Sequence, residues 1–219
     1  MLLRMPGVYR PQGDTRLLCA AFHDANLPPG GTVLDIGTGT GAVALTAARA
    51  GAASVTAVDI ARRAVVTARA NAWLSGLNVE VRQGDALTIA AGRRFDIVLA
   101  NPPYVPSVVD VDARGPARAW EGGCDGRAVL DRLCAAARDL LTPGGTLLMV
   151  HSALCGTEES LIALRGLGLK AAVVSRAREP FGPVMRGRAD ALVRAGLLEP
   201  GDIDEELVVI RADRAITDH

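Results

Sequence analysis

Lysine is almost missing from this chain: Lys170 is the single one, so nearly all of the 24 basic side chains are arginine. With abundant alanine and glycine, this reads as genomic base bias rather than function. Aromatic residues are also scarce, at 3%, and the formal net charge is zero with a pI near 6.8. That combination argues against a sequence-independent nucleic-acid binder held by a broad basic surface, though not against a local basic patch. The four cysteines (Cys19, Cys124, Cys134, Cys155) are dispersed and the three histidines (His23, His151, His219) form no spaced cluster. Neither a disulfide framework nor a metal site is signalled, and reduced thiols in a cytosolic compartment are expected. No apolar run reaches membrane-spanning length and the N-terminus lacks a signal-peptide pattern, so the expectation is a soluble, cytoplasmic protein without membrane contact. The 219 residues, 49% hydrophobic and 22% charged, suffice for about one domain with one substantial core.

The chemistry is concentrated in two stretches. The first is Val33-Leu34-Asp35-Ile36-Gly37-Thr38-Gly39-Thr40-Gly41-Ala42. A short apolar run reads as a strand, three alternating glycines form a turn, and a helix-period stretch from Val43 to Ala50 follows. Such a turn lets a ligand approach the backbone and points a helix N-terminus at it. Gly37, Gly39 and Ala42 fit the loose dinucleotide fingerprint, which alone is weak. A carboxylate at Asp35, two residues before the first glycine, repels a pyrophosphate and suits a cation such as the ammonium of S-adenosylmethionine. The methyl donor is therefore favoured over a nicotinamide cofactor and an oxidoreductase.

Further strands are expected over Ser54–Val58, ending on Asp59, over Val79–Val81, and over Phe95–Ala100. Asp59 lies about twenty residues past the glycines, where an acidic side chain reaches ribose hydroxyls; capping the helix from Ala61 to Leu74 is its plainer use. Asp85 follows the third strand, either beside an adenine or as a turn residue. Before the glycine loop, Asp14 or Thr15 caps a helix to Ala25. After Phe95–Ala100 come an aperiodic loop from Pro106 to Gly126, a helix from Ala128 to Leu141 broken at Pro143-Gly144-Gly145, a strand Thr146–Val150, a helix Glu158–Leu167 and a strand Ala171–Ser175. A short helix near Arg186–Ala195 and a strand Leu207–Ile210 close the chain. Strands alternating with helices indicate an α/β, doubly wound sheet with its ligands at the strand C-termini. Asp35, Asp59, Asp85 and Asn101 all fall at such ends.

The second stretch, Asn101-Pro102-Pro103-Tyr104, is the more specific. Pro102 forces Asn101 into an extended backbone, and the prolines fix their own φ angles. The Asn101 side-chain oxygen and the Pro102 carbonyl can then act as a rigid pair of acceptors for an R–NH2 group whose lone pair must be aimed at a methyl donor. Tyr104 can stack on a planar acceptor.

Asp35-Ile36-Gly37-Thr38-Gly39-Thr40-Gly41 together with Asn101-Pro102-Pro103-Tyr104 resembles the class I S-adenosylmethionine-dependent methyltransferases. More narrowly it resembles the HemK family of protein glutamine N5-methyltransferases, in its compact eukaryotic and archaeal release-factor branch. Tyr9-Arg10-Pro11-Gln12-Gly13-Asp14-Thr15, Ala119-Trp120-Glu121-Gly122-Gly123 through Asp125-Gly126-Arg127, and Asp131-Arg132 are similar to that branch as well. The resemblance implies a Rossmann-like, mostly parallel seven-stranded sheet with helices on both faces and the last strand antiparallel. It divides the chain into a lead-in and helix (residues 1–30) and a methyltransferase domain (31–219). It implies S-adenosyl-L-methionine held by Thr15, Asp35, Gly37, Gly39, Gly41, Asp59, Ile60, Asp85, Ala86 and Asn101, with Asn101, Pro102 and Tyr104 at the acceptor. The family's acceptor is the glutamine of a Gly-Gly-Gln tripeptide in release factors, and the compact branch often uses a small zinc-binding activator subunit. Adenine or cytosine amino groups of RNA or DNA, or a small-molecule or peptide amine, present the same R–NH2 chemistry. Bacterial members usually add an N-terminal helical domain, for which this chain has no room. Residues 176–204 are extra, and their arginines (Arg176, Arg178, Arg186, Arg188, Arg194) either line a substrate groove or form a solvated helical face.

Overall fold

Thr32–Ile36 (β1) is an interior strand of the sheet: four of its five residues are apolar or β-branched, Asp35 is the exception, and Val33 through Ile36 are buried on both faces, as expected of a strand covered on two sides. A computed structural model describes residues 2–106 and 122–216. In chain order the elements are α1 (Gly13–Asp24), β1, α2 (Ala42–Arg49), β2 (Ser54–Asp59), α3 (Arg62–Leu74), β3 (Glu80–Gln83), α4 (Ala86–Ile89), β4 (Phe95–Ala100), α5 (Ala128–Leu140), β5 (Leu141–Ser152), α6 (Thr157–Gly166), β6 (Lys170–Pro180), α7 (Pro183–Arg194) and β7 (Asp204–Asp213). The seven strands are ordered β3-β2-β1-β4-β5-β7-β6, with β7 antiparallel to both its neighbours and the other pairings parallel. This is the doubly wound sheet with an antiparallel last strand that the sequence led one to expect.

The alternation of side chains along β1 and β4 divides the core. Leu34, Ile36, Val98 and Ala100 face α5 and α6, packing on Leu130, Leu133, Leu161 and Leu164. Val33, Ile97 and Leu99 face the other way, onto Leu18 and Phe22 of α1, Val43 of α2 and Val65 of α3. Each fully buried leucine or phenylalanine contributes about 1.5–3 kcal/mol, so helices on both faces are what this composition requires.

Several expectations need correcting. Asp14 and Thr15 do not cap α1: they lie inside it, Gln12 precedes it, and no side chain caps it. Asp85 instead caps a short helix, α4, that periodicity over four residues cannot reveal; its carboxylate accepts from Thr88 N. Pro143-Gly144-Gly145 does not separate helix from strand. β5 begins at Leu141, which pairs with Phe95, while Thr146 pairs with Ile97, so the intervening residues bulge out of the ladder. Arg176 and Arg178 are not on a helical face. They extend β6 beyond Ser175 and pair across it with Glu206 and Asp204 of β7. Arg186, Arg188 and Arg194 do lie on a helix, α7, whose Met185 and Leu192 form a small separate core with Phe181 and Leu198. Of the long loop expected between Pro106 and Gly126, residues 107–121 lie outside the described residues, as do Ala119, Trp120 and Glu121 of the family-like motif. Among the described residues no helix is long and apolar enough to cross a membrane.

Candidate active site

At the C-terminal ends of β1, β2 and β4 the sheet opens into a cavity of about 470 Å³, a size suited to a nucleoside-bearing ligand. The glycine loop forms its floor. Gly37, Gly39 and Gly41 all take positive φ (73°, 55° and 84°), which costs a residue with a Cβ but not glycine. A Cβ on Gly37 would sit 3.3 Å from the Asn101 carbonyl oxygen, so this glycine lets the two motifs close on one another. Gly37 N and Thr38 N donate to Val58 O, and Gly39 N donates to Asp59 Oδ2 at 2.9 Å. Asp59 Oδ1 accepts from Ala61 N. Asp59 thus braces the loop while lining the cavity; burial pushes its carboxyl up, opposed by these two N–H groups.

Ten of the twelve residues expected at the site line this cavity: Thr15, Gly37, Gly39, Asp59, Ile60, Asp85, Ala86, Asn101, Pro102 and Tyr104. Asp35 and Gly41 do not. Gly41 precedes α2 against Ala68 of α3, where a Cβ would come within 3.3 Å. Asp35 is 1% exposed; its Oδ2 accepts from Thr38 Oγ1 (2.6 Å) and from Ala44 N (3.1 Å). From the neighbouring strand it satisfies one of the N–H groups that the first turn of α2 leaves without an intrahelical partner. Burial raises its carboxyl from 3.8 to about 7, against the lowering effect of those two hydrogen bonds. Between those values the folded chain holds a proton that the unfolded chain has released, so Asp35 withdraws stability as pH rises from about 4 to about 7. Asp35→Asn is therefore expected to raise the melting temperature of the ligand-free protein at pH 8, with a gain that shrinks toward pH 4; calorimetric melts at the two pH values test this.

At the far end, Asp85 lines the cavity with both oxygens engaged. Oδ1 accepts from Thr88 N and Oδ2 from Arg132 Nη2 at 2.8 Å. Partial burial raises its carboxyl, but Arg132 and Thr88 outweigh that and leave it below the usual value. Arg132, Leu133 and Val129 of α5 line this end too. Only the Asp131-Arg132 pair was singled out in the sequence, and without a role.

The acceptor side is tied together more closely than the sequence indicates. Tyr104 is 8% exposed and its hydroxyl donates to Asp14 Oδ2 at 3.2 Å. Tyr9 donates to the same oxygen at 2.8 Å, and Gln12 Nε2 donates to Tyr9. Burial, then the Asp14 charge, raises both phenols above their usual value, so both are hydroxyl donors at neutral pH. Tyr104 is therefore anchored at its tip rather than free to slide over a substrate. Asn101 Nδ2 donates to Thr15 Oγ1 at 3.4 Å. The lead-in is pinned as well: Asn71 accepts from Leu3 N and donates to Leu3 O and Thr40 O, which brings Gly7, Val8, Tyr9 and Pro11 over the cavity. Tyr9 and Asp14, which the sequence reading placed in the family-like lead-in without a role at the site, line the cavity as well. Their signal, a Tyr five residues before an Asp at a helix start, is too common to single out.

The profile of the family described as methyltransferase small domain matches residues 3–114. A Methanocaldococcus jannaschii protein, provisionally named a protein N5-glutamine methyltransferase, is 35% identical over 181 residues, covering 82% of this chain and 90% of its own. A release factor glutamine methyltransferase of Deinococcus radiodurans is 43% identical over 148 residues, 65% of this chain and 52% of its own. The chain thus spans nine-tenths of the first relative and about half the length of the second. Among solved structures, the fold resembles the E. cuniculi Mtq2-Trm112 complex, described as responsible for methylation of the eRF1 translation termination factor, with a TM-score of 0.67, 23% identity, and coverage of 95% and 99% of the two chains. It also resembles a T. thermophilus 16S rRNA N2 G1207 methyltransferase in complex with AdoMet and guanosine, with a TM-score of 0.62, 21% identity, and coverage of 96% and 46%. The chain belongs to the methyltransferase small-domain family, a class I methyltransferase fold whose members use S-adenosylmethionine, and its place among them is with the protein glutamine N5-methyltransferases.

Proposed function

We propose that this chain binds S-adenosyl-L-methionine in the 470 Å³ cavity and methylates the side-chain amide nitrogen of a glutamine in a peptide-chain release factor. The observation that carries this reading is the orientation of Asn101. Its Nδ2 is engaged by Thr15, which leaves Oδ1 as the free acceptor of a residue that lines the cavity and whose backbone carbonyl abuts Gly37. An amide nitrogen is a poor nucleophile because its lone pair is delocalised into the carbonyl. Two fixed acceptors, Asn101 Oδ1 and the Pro102 carbonyl, hold both of its hydrogens and favour a lone pair aimed at the methyl carbon. The bound cofactor supplies an electrophilic methyl group on a sulfonium. The glycines at residues 37 and 39 would admit it close to the backbone, Asp59 would hold its ribose, and Asp85, Ala86 and Arg132 would border its adenine. Asp35 acts from behind the loop through Thr38 and the start of α2.

The test is transfer of labelled methyl groups to a release factor, intact against Gln-to-Ala in its Gly-Gly-Gln tripeptide. Label on the intact factor alone is expected, and equal labelling of both removes the glutamine assignment. Total RNA in a parallel arm tests an exocyclic amino acceptor. Calorimetric titration with S-adenosylhomocysteine and with NAD tests the cofactor, with binding expected for the first and not the second. The relative in the E. cuniculi complex supports a small activating subunit as a further partner; turnover of the purified chain, alone and with a Trm112-type protein added, tests that.

A further inference from the structure

The carboxamide of Asn101 has an oxygen at one end and an NH2 at the other, nearly equal in size. Packing alone distinguishes them poorly, yet the chemistry above depends on which end meets the acceptor, since an NH2 facing R–NH2 sets donor against donor. Something must set the polarity, and α1 contains a group able to do so. Asp14 is 3% exposed and sits in the first turn of the helix, where the helix dipole favours its negative charge. An ionised carboxylate can only accept hydrogen bonds. Asp14 Oδ2 takes the hydroxyls of Tyr9 and Tyr104, and Oδ1 takes Thr15 N and, at 3.1 Å, Thr15 Oγ1. With its one hydrogen directed at Asp14, the Thr15 hydroxyl offers Asn101 lone pairs only. The atom of Asn101 facing it, at 3.4 Å, is accordingly Nδ2.

We infer that Asp14, acting through Thr15, is the positioning device that turns the Asn101 carboxamide oxygen-first toward the methyl acceptor. The chain Asn101–Thr15–Asp14 is a one-way sequence of hydrogen bonds that ends on Asp14 Oδ1, which accepts from both the N–H and the hydroxyl of Thr15. Asp14 and Thr15 are positioning residues in this step, and Asn101 is the group that meets the substrate. The lead-in and α1 thereby reach the chemistry without touching the transferred methyl group. The substrate side of this inference rests on the amide acceptor proposed above; the orientation of Asn101 does not.

The chain has four asparagines, which makes a direct test practical. Asn26 and Asn78 are exposed, while Asn71 is buried and hydrogen-bonded. In protein labelled with 15N only at asparagine side chains, the four NH2 groups give few signals, and loss of one in Asn101→Asp assigns Asn101. Its hydrogens are expected to exchange with solvent more slowly than those of Asn26 and Asn78. Thr15→Val should remove that protection, Thr15→Ser should retain it, and an unchanged Asn71 signal shows in each case that the fold is intact. Asp14→Ala should also lose the protection, because the Thr15 hydroxyl is then free to reverse. An Asn101 signal indifferent to Thr15→Val overturns the inference, and so does one that survives Asp14→Ala. In the turnover arm, Thr15→Val should lower kcat about 10- to 100-fold, far more than it lowers cofactor affinity, with Thr15→Ser restoring most of it. An unaltered kcat with a released Asn101 side chain likewise overturns the positioning role. If the wild-type protein fails to methylate a release factor, the substrate reading falls while the exchange measurement still decides the orientation of Asn101.

Discussion

Asn101→Ala should lower turnover by about 10²–10³-fold, the loss found when a single preorganised polar group is removed from a reacting centre, and leave affinity for S-adenosylhomocysteine within about tenfold. The asymmetry follows from where the side chain points. Its backbone carbonyl is packed against Gly37, so the main-chain part of the residue belongs to the glycine-loop floor and survives the substitution. The carboxamide is tied at Nδ2 to Thr15, and the residue lines the cavity, which leaves Oδ1 as the acceptor available to a substrate there. Removing it deletes an interaction that matters most when the amide lone pair localises, so kcat falls while binding of the cofactor product is spared. Steady-state kinetics with a release factor, paired with calorimetric titration of S-adenosylhomocysteine, separate the two quantities. Turnover within a few-fold of wild type would remove Asn101 from the mechanism. An equal fall in kcat and in cofactor affinity would make it a binding residue only.

Asn101 was legible in the sequence because two prolines after a buried strand constrain the backbone whatever the surroundings, and β4 ends at Ala100 as its apolar run predicts. The glycine loop was legible for the same kind of reason: three positive-φ residues in five are a local demand that only glycine meets without cost. What the sequence misjudged was the direction of acidic side chains. Asp35 and Asp59 both stand at strand tips, and spacing treats them alike. The pleat of the sheet sends Asp35 beneath the loop to the N-terminus of α2 and leaves Asp59 on the cavity wall. Asp14 was hidden for the opposite reason. A polar residue near a helix start reads as a solvated cap, and only the tertiary approach of Tyr104, ninety positions away, makes it a buried hub. Arg176 and Arg178 looked helical beside a helix-forming stretch; their alternation is that of an exposed strand face whose partners, Glu206 and Asp204, arrive some thirty residues later.

Gly126→Ala should destabilise the protein by about 2–5 kcal/mol, the sum of a left-handed backbone and an overpacked contact. For a chain of this size that is a fall of about 5–15 °C in melting temperature. Gly126 has φ +79°, and a Cβ there would overlap the Tyr104 carbonyl oxygen and lie 2.6 Å from Cys155 Sγ. Those two atoms already form a hydrogen bond, with Cys155 Sγ donating to Tyr104 O at 3.0 Å. Neither can retreat easily: Tyr104 is held at its hydroxyl by Asp14, and the Cys155 carbonyl accepts from Arg127, which also binds Gly156 O and Asp131. Gly92→Ala is the matched control, with φ +73° and nothing within 4 Å of the added methyl, so it carries the backbone cost of about 1–2 kcal/mol alone. Differential scanning calorimetry of the two variants isolates the contact, and equal melting temperatures would mean that the segment entering α5 does not press on the acceptor motif. Because relief of the overlap must come from displacing Tyr104, Gly126→Ala is also expected to lose turnover well below its melting temperature, whereas Gly92→Ala keeps it. The loop entering α5 thus acts as the back wall against which residues 101–104 are held in register.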